Sequence, residues 1–334
     1  MSAPYVVAVT DFITDSLEPE RRVLGDIASV VALNADHEDK LAGRIEHVDA
    51  IMQYHSILLT AGTIRRLSRC RVIVRCGVGY DNIDCAAARQ AGIPVCNIPD
   101  YGTEDVADTA IGMALTLTRG IAYLNSHLRA DIRQWTYLLG APRHRLRGRV
   151  FGIVGLGRIG TAAALRAKAL GMQVHFHDPY KPDGYDKALG IVRATSLDEL
   201  LSASFVLSLH CPLTDQTRHL INAQRLRQLP QGSYLVNTAR GGIVDTAAVV
   251  EAIACGQLAG AALDVLPGEP PDPDDPLIRA WRDPSHPAHH RIILNPHSAF
   301  YSEQGLLEMR TRAAQTCRAA LLGQPLRNVV NADE

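Results

Sequence analysis

The chain of 334 residues has no excess of either charge, few aromatic residues and no long apolar run. Its 34 lysines and arginines balance 35 aspartates and glutamates, so its net charge gives no reason to expect nucleic acid or an anionic membrane as a partner. No apolar run reaches the roughly 18 residues that a membrane span needs. The first residues lack the basic segment and apolar core of a secretory signal. We therefore expect a cytoplasmic protein that binds neither nucleic acid nor membranes.

The seven cysteines are odd in number and form no Cys-x-x-Cys pair. This pattern is typical of reduced thiols rather than of a disulfide or zinc framework. Three histidines, His286, His289 and His290, have a spacing loosely similar to that of metal ligands, but they lie among prolines in a predicted surface loop. We therefore predict that the protein binds no metal.

Short β-branched runs alternate with helical patterns along nearly the whole chain, which predicts βαβ units and parallel sheets. The length suggests two domains of roughly 150 residues. The first series indicates a small flavodoxin-like α/β domain with five strands, over 5–10, 30–34, 50–54, 72–76 and 94–98. The second fits a doubly wound dinucleotide-binding domain with six strands, over 150–154, 173–177, 205–210, 233–237, 260–265 and 291–295.

Helical periodicity predicts one long helix over 104–127 and a last helix over 302–322. Two stretches lack periodicity and are predicted as loops, 134–146 and 267–287. The second of these contains seven prolines.

The strongest local signal is a Gly-x-Gly-x-x-Gly motif between a predicted strand and a predicted helix. Gly155 allows a tight turn, Gly157 lets the backbone approach a pyrophosphate, and Gly160 lets the helix pack closely on the strand. The helix N-terminus offers N–H groups to the phosphates. Asp178 ends the next predicted strand, 18 residues beyond Gly160, where a carboxylate would bind the adenosine ribose and repel a 2′-phosphate. The motif predicts NAD(H) as cofactor, in preference to NADP.

Three polar residues, Arg240, Glu269 and His297, each follow a predicted strand of the second series. Open α/β sheets build their sites at these strand ends. Reduction of a 2-keto acid needs a cation for the carboxylate, an acid–base group at the carbonyl oxygen and an anion that orients this group. Arg, His and Glu supply these three functions, although each residue alone could equally have an ordinary structural role.

Together these segments resemble the D-isomer-specific 2-hydroxyacid dehydrogenase family. The resemblance covers nearly the whole chain and includes the segments 77–84 and 209–214. Within the family, the sequence is most similar to the C-terminal-binding-protein (CtBP) branch. The residues that carry this closer similarity are Tyr54-His55, Asp178-Pro179-Tyr180 and the segment 301–310.

The resemblance implies that Arg240 binds the substrate carboxylate and that His297, held by Glu269, is the general acid in reduction and the base in oxidation. The main chain of Val78 and Gly79 would also bind the carboxylate. Further candidates for the substrate pocket are Tyr54, His55 and Phe300, where the CtBP branch has Trp instead of Phe300.

For the cofactor, the resemblance implies that Asp264 contacts the nicotinamide carboxamide and that other residues line the site. The complete set expected to bind NAD is Gly155, Gly157, Arg158, Ile159, Gly160, Asp178, Cys211, Thr217, Thr109, Thr238, Ala239 and Asp264.

The resemblance also implies a discontinuous substrate-binding domain, 1–99 with 302–334, and an inserted NAD-binding Rossmann domain, 100–301. It implies a homodimer formed through the NAD domain. The function that it implies is an NAD(H)-dependent D-2-hydroxyacid dehydrogenase, or 2-keto acid reductase, which transfers hydride between nicotinamide C4 and substrate C2. The alternative is an NAD(H)-sensing, CtBP-like corepressor or scaffold that binds proteins. The sequence leaves open the substrate side chain and the direction of the reaction.

Overall fold

The computed structural model describes residues 4–332. These residues form two compact units. One unit contains the chain up to Gly102 and from Tyr301 onward, and the other is Thr103–Phe300. The predicted substrate-binding domain consists of 1–99 and 302–334, and its residues 1–3 and 333–334 lie outside the described residues.

Each unit contains one parallel sheet. The first sheet consists of β1 (Tyr5–Val9), β2 (Ala28–Ala32), β3 (Ala50–Gln53), β4 (Ile73–Arg75) and β5 (Val95–Asn97). The second consists of β6 (Val150–Val154), β7 (Gln173–His177), β8 (Val192–Arg193), β9 (Val206–Leu209), β10 (Ser233–Asn237), β11 (Leu258–Leu263) and β12 (Ile292–Leu294).

The strand orders confirm the predicted fold class. The first sheet has the order β2-β1-β3-β4-β5, which is the flavodoxin-like arrangement. The second has the order β12-β11-β10-β9-β6-β7-β8, so the strands run outward in both directions from the β6–β9 pair. That point is the topological switch of a doubly wound sheet, where such folds bind ligands. The sequence predicted six strands here and missed β8, because its two residues are too short to show a period.

The α-helices, in chain order, are α1 (Glu18–Leu24), α2 (Ala61–Ile64), α3 (Cys85–Gln90), α4 (Thr103–Arg119), α5 (Ile121–Ala130), α6 (Arg158–Ala169), α7 (Tyr185–Leu189), α8 (Leu197–Ala203), α9 (Ala223–Leu226), α10 (Thr246–Ala254), α11 (Pro276–Arg282) and α12 (Glu303–Leu321). None of the helices within residues 4–332 is both long and apolar enough to cross a bilayer.

Two predictions about helices were wrong. The single helix predicted over 104–127 is two helices, because Gly120 between α4 and α5 has a left-handed φ of 67°. The predicted loop 267–287 contains α11. Pro276 stands in the first turn of α11, where a missing N–H costs nothing, and Asp275 caps the helix by accepting a hydrogen bond from the Leu277 N–H.

The core of the second unit places α4 and α6 against the sheet. α4 buries Ala110, Met113 and Leu117, which share one face of the helix. α6 buries Ala163 and Ala167, whose small side chains allow α6 to approach its neighbours closely. This packing fixes the N-terminus of α6 beside the carboxyl end of β6. All seven cysteines are free thiols.

Candidate active site

The three predicted catalytic residues follow three neighbouring strands. Arg240 follows β10, Glu269 lies in the loop after β11, and His297 follows β12. These strands are adjacent and parallel, so their carboxyl ends lie at the same edge of the sheet. The structure therefore brings the three loops together at the edge where doubly wound folds build their sites.

His297 and Glu269 form a hydrogen-bonded pair. The distance between His297 Nδ1 and Glu269 Oε2 is 2.7 Å. The other carboxylate oxygen of Glu269 accepts a hydrogen bond of 2.9 Å from the Leu266 N–H, which fixes the carboxylate to its own loop. Because an ionised carboxylate only accepts, Nδ1 carries a proton. Nε2 is then the ring nitrogen that can exchange a proton with a substrate.

The backbone of His297 is strained and is held in place by Asp264. His297 has a left-handed φ of 51°, a conformation that costs roughly 1–3 kcal/mol for a non-glycine residue. Its N–H donates to the Asp264 carbonyl oxygen (2.7 Å), and the N–H groups of Ser298 and Ala299 donate to the Asp264 carboxylate (2.9 and 3.0 Å). Burial raises the pKa of Asp264, and the two N–H groups oppose that rise. Asp264 thus joins the loops that carry Glu269 and His297.

Asn237, which the sequence analysis missed, fixes the turn that presents Arg240. Its buried side-chain amide donates to the Arg240 carbonyl oxygen (2.9 Å) and accepts from the Ala239 N–H (3.0 Å). Gly241 then passes so close to the Glu269 loop that a Cβ would lie 1.9 Å from the Leu266 carbonyl carbon. The sequence signal was an Asn at a strand end, a residue type that often closes such turns.

The glycine motif has the shape that a pyrophosphate requires. Gly155 has φ +88°, and a Cβ there would lie 2.7 Å from the Cys211 nitrogen. A Cβ on Gly160 would lie 2.2 Å from the Gly155 oxygen. A Cβ on Gly157 would meet no atom within 4 Å, and Gly157 caps α6 without a side-chain hydrogen bond. Gly155 and Gly160 are therefore required by close contacts within the protein itself. Gly157 instead adjoins open space beside the N-terminus of α6.

Two further residues near the glycine motif, Asp178 and Thr238, have polar groups that suit a bound dinucleotide. Asp178 Oδ2 accepts a hydrogen bond of 2.8 Å from the Leu156 N–H, which ties the glycine loop to the end of β7. Asp178 Oδ1 accepts from the Tyr180 N–H at 3.0 Å. The Thr238 hydroxyl is buried and has no hydrogen-bond partner among residues 4–332. A buried hydroxyl in this state is a group that a bound ligand can satisfy.

The remaining predicted cofactor residues have local partners. Arg158 and Ile159 begin α6. The Thr217 hydroxyl donates to the Pro212 carbonyl oxygen (2.7 Å), within the loop after β9. Thr109 on α4 donates to the Ala299 carbonyl oxygen at 3.3 Å, beside the His297 loop. Burial raises the pKa of Cys211 to about 11, so its thiol stays protonated at neutral pH.

In the first unit, the predicted substrate residues follow β3 and β4. Val78 is held by its carbonyl oxygen, which accepts a hydrogen bond of 2.7 Å from the Asn97 side chain. Tyr54 is fully buried, so its side chain offers no surface to a substrate in this structure. His55 packs against Phe12, with ring centroids 4.6 Å apart, and Phe12 was not predicted. In the second unit, the Phe300 ring lies edge-on to His297 with centroids 6.3 Å apart.

A comparison with family models identifies the family. The model described as "D-isomer specific 2-hydroxyacid dehydrogenase, NAD binding domain" matches residues 111–299. The chain belongs to this family. The match confirms the resemblance stated from the sequence, and it identifies the cofactor of the second unit as NAD.

Known relatives agree with this assignment. The chain is 37% identical to C-terminal-binding protein 1 of Caenorhabditis elegans over 317 residues, which are 91% of this chain and 42% of that protein. It is 32% identical to D-3-phosphoglycerate dehydrogenase of Methanocaldococcus jannaschii over 320 residues, 96% of this chain and 59% of that protein. The chain thus spans about half the length of these curated relatives. Among solved structures, D-lactate dehydrogenase from Aquifex aeolicus, complexed with NAD and lactic acid, is 28% identical with a TM-score of 0.87, covering 98% of this chain and all of that one.

Proposed function

We propose that the protein is an NAD(H)-dependent 2-keto acid reductase, which in the reverse direction is a D-2-hydroxyacid dehydrogenase. The observation that carries the proposal is the His297–Glu269 pair, at 2.7 Å, on the same sheet edge as Arg240 and the glycine motif. The family assignment supports it. A solved relative with NAD and lactic acid supports it as well.

In the proposed reaction, the Arg240 guanidinium binds the substrate carboxylate through two parallel N–H groups. His297 donates the proton on Nε2 to the carbonyl oxygen during reduction and accepts it back during oxidation. Glu269 stays ionised and stabilises the imidazolium. A bound nicotinamide supplies or accepts the hydride at the substrate C2. In the first unit, the main-chain N–H groups of Val78 and Gly79 are further donors to the carboxylate.

The cofactor would be held by the residues whose geometry fits it. Gly157 and the first turn of α6 would bind the pyrophosphate. Asp178 would bind the adenosine ribose and disfavour a 2′-phosphate. Thr238, with its buried hydroxyl, would donate to the cofactor.

We also propose that the first unit binds the substrate and that the chain forms a homodimer through its second unit. The segment that includes and follows α5 exposes Ile121, Trp135, Tyr137 and Leu138, of which Trp135 is 77% and Tyr137 86% exposed. A run of large exposed apolar side chains is typical of a protein interface. Light scattering coupled to size exclusion should give the mass of a dimer, and Trp135→Ser with Tyr137→Ser should shift it to that of a monomer.

The second candidate function is an NAD(H)-sensing scaffold that binds protein partners. The observation that favours it is the 37% identity to C-terminal-binding protein 1. The two functions differ in turnover, because a scaffold needs tight NADH binding but no fast chemistry.

NADH oxidation against a panel of 2-keto acids tests the proposal. The panel runs from glyoxylate and hydroxypyruvate to branched, thioether and aromatic members. Fast turnover that is lost in His297→Ala, but kept in the loop control His286→Ala, is the expected result. Tight NADH binding without turnover on any member would instead favour the scaffold.

A further inference from the structure

Phe12 has a backbone conformation that bulky residues rarely adopt. It follows β1 with a left-handed φ of 68°, and 42% of its surface is exposed. Such a conformation costs free energy for a residue with a large Cβ substituent and persists only where the surroundings enforce it. A strained, half-exposed aromatic residue at a strand end therefore indicates a functional constraint.

Asp11 enforces this conformation. Its carboxylate is 1% exposed and accepts hydrogen bonds from the Tyr54 N–H (2.9 Å) and the Ser56 N–H (2.8 Å). The Thr10 hydroxyl donates to the same carboxylate. These bonds join the loop after β1 to the loop after β3. The position of Phe12 is thus set by a buried carboxyl group that the proposed reaction does not use.

The phenyl ring of Phe12 covers the residues of the neighbouring loop. It stacks on Tyr54 with ring centroids 5.5 Å apart and planes 28° apart. It also packs on His55 at 4.6 Å. Because Tyr54 is fully buried, Phe12 and His55 present the surface of this cluster. The result is an apolar, aromatic surface at the carboxyl edge of the first sheet.

The distance between this surface and the proposed carboxylate donors limits which substrates can contact both. Val78 and Gly79 follow β4, and the strand order places β3 between β4 and β1. At about 4.8 Å between neighbouring strands, β1, which precedes Phe12, is about 10 Å from β4, which precedes Val78. A two- or three-carbon acid held at Val78 ends short of this distance. A branched or aromatic side chain is long enough to cross this distance and to contact the surface of Phe12 and His55.

From this arrangement we infer that Phe12 determines specificity and that the substrate is a 2-keto acid with a branched or aromatic apolar side chain. The inference rests on the proposed function, because it uses Val78 and Gly79 as the place of the carboxylate. Phe12 contacts the side chain of the substrate and takes no part in the proton transfer.

The test is Phe12→Gly, assayed with phenylpyruvate, 4-methyl-2-oxopentanoate, pyruvate and glyoxylate. Glycine adopts a positive φ without strain, so the variant keeps the fold while losing the ring. The wild-type protein should prefer phenylpyruvate or 4-methyl-2-oxopentanoate. In the variant, kcat/KM for these acids should fall about 10- to 100-fold, the range that loss of an apolar contact gives, while that for glyoxylate stays within about threefold.

The matched control is Leu322→Ala, which removes an apolar side chain of similar exposure, 45%, from the same unit. It should leave all four values unchanged. A wild-type preference for glyoxylate, or faster turnover of phenylpyruvate in Phe12→Gly, would overturn the inference and leave the proposed reductase standing. Absence of turnover on every acid in the wild-type protein would overturn both.

Discussion

His297 Nδ1 lies 2.7 Å from Glu269 Oε2, although the two residues are 28 positions apart in the chain. The loops that carry them are also joined through the main chain, because the His297 N–H donates to the Asp264 carbonyl oxygen at 2.7 Å. The imidazole is thus fixed both at its ring and at its backbone. Such double fixation holds the imidazole in one orientation, as the proposed proton transfer requires.

The first prediction concerns the anion beside His297. Glu269→Gln keeps the shape of the side chain but removes the charge that stabilises the imidazolium in the proposed reaction. We expect kcat for reduction to fall about 10²- to 10⁴-fold. We also expect the decline of the reduction rate at high pH to begin at a lower pH than in the wild-type protein. Steady-state pH profiles measure both effects. NADH affinity, followed by fluorescence, should stay unchanged, and an unaltered pH profile would contradict the role given to Glu269.

The second prediction separates the glycines of the cofactor motif. Gly157→Ala adds a methyl group where no protein atom lies within 4 Å, so the free energy of unfolding should hardly change. The methyl group would instead obstruct the pyrophosphate. The NADH dissociation constant should therefore rise at least tenfold, which is a loss of about 1.4 kcal/mol in binding free energy. Gly160→Ala is the comparison, since its Cβ would lie 2.2 Å from the Gly155 oxygen and should destabilise the fold itself. Equal losses of stability in the two variants would refute this division.

The third prediction concerns the choice between NAD and NADP. Asp178→Ser removes the carboxylate expected to repel a 2′-phosphate, while a hydroxyl remains that can accept from the Leu156 N–H. The ratio of kcat/KM for NADPH to that for NADH should rise about 10- to 100-fold. Kinetics with both cofactors measure this ratio. A ratio that does not move would show that another group sets the preference.

The fourth prediction concerns His210, a half-buried histidine that follows β9. Desolvation of the half-buried His210 imidazole lowers its pKa from 6.5 to about 4. Between these two values the unfolded chain binds a proton at this position and the folded chain does not, so stability falls as pH falls through that window. His210→Gln should remove this part of the acid sensitivity. Its loss of unfolding free energy between pH 7 and pH 5 should be about 2 kcal/mol smaller than that of the wild-type protein.

Urea titrations at both pH values provide the measurement for His210→Gln. The control is His47→Gln, which makes the same replacement at an exposed histidine of the first unit. If His210→Gln and the wild-type protein lose equal stability between pH 7 and pH 5, the histidine is not kept neutral by the fold.

The sequence predicted the strand ends well, since parallel strands produce apolar runs bounded by polar loops. For the same reason it predicted which loops carry Arg240, Glu269 and His297. It did not predict Asn237 or Phe12. The role of Asn237 depends on a turn that its own amide closes, and the position of Phe12 depends on a hydrogen bond that the Asp11 carboxylate accepts from the Tyr54 N–H, 43 residues away.

Two errors in the helices have local causes. Gly120 breaks the predicted long helix through its left-handed backbone. A glycine within an apolar helical period does not by itself predict such a break, because glycine adopts both helical and left-handed conformations. α11 was not predicted because prolines surround it. A proline is compatible with a helix when it stands in the first turn, as Pro276 does, and this position is not evident from the sequence. Both cases show that periodicity identifies a face but not the ends of an element.

The most direct test of the proposed function follows the hydride itself. The protein is incubated with NADH that carries deuterium at both C4 positions and with the 2-keto acid that it reduces fastest, and the product is analysed by mass spectrometry and chiral chromatography. The account predicts a D-2-hydroxy acid that carries the deuterium at C2, and no such product with His297→Ala. An unlabelled product, an L-2-hydroxy acid, or an undiminished yield with His297→Ala would contradict it.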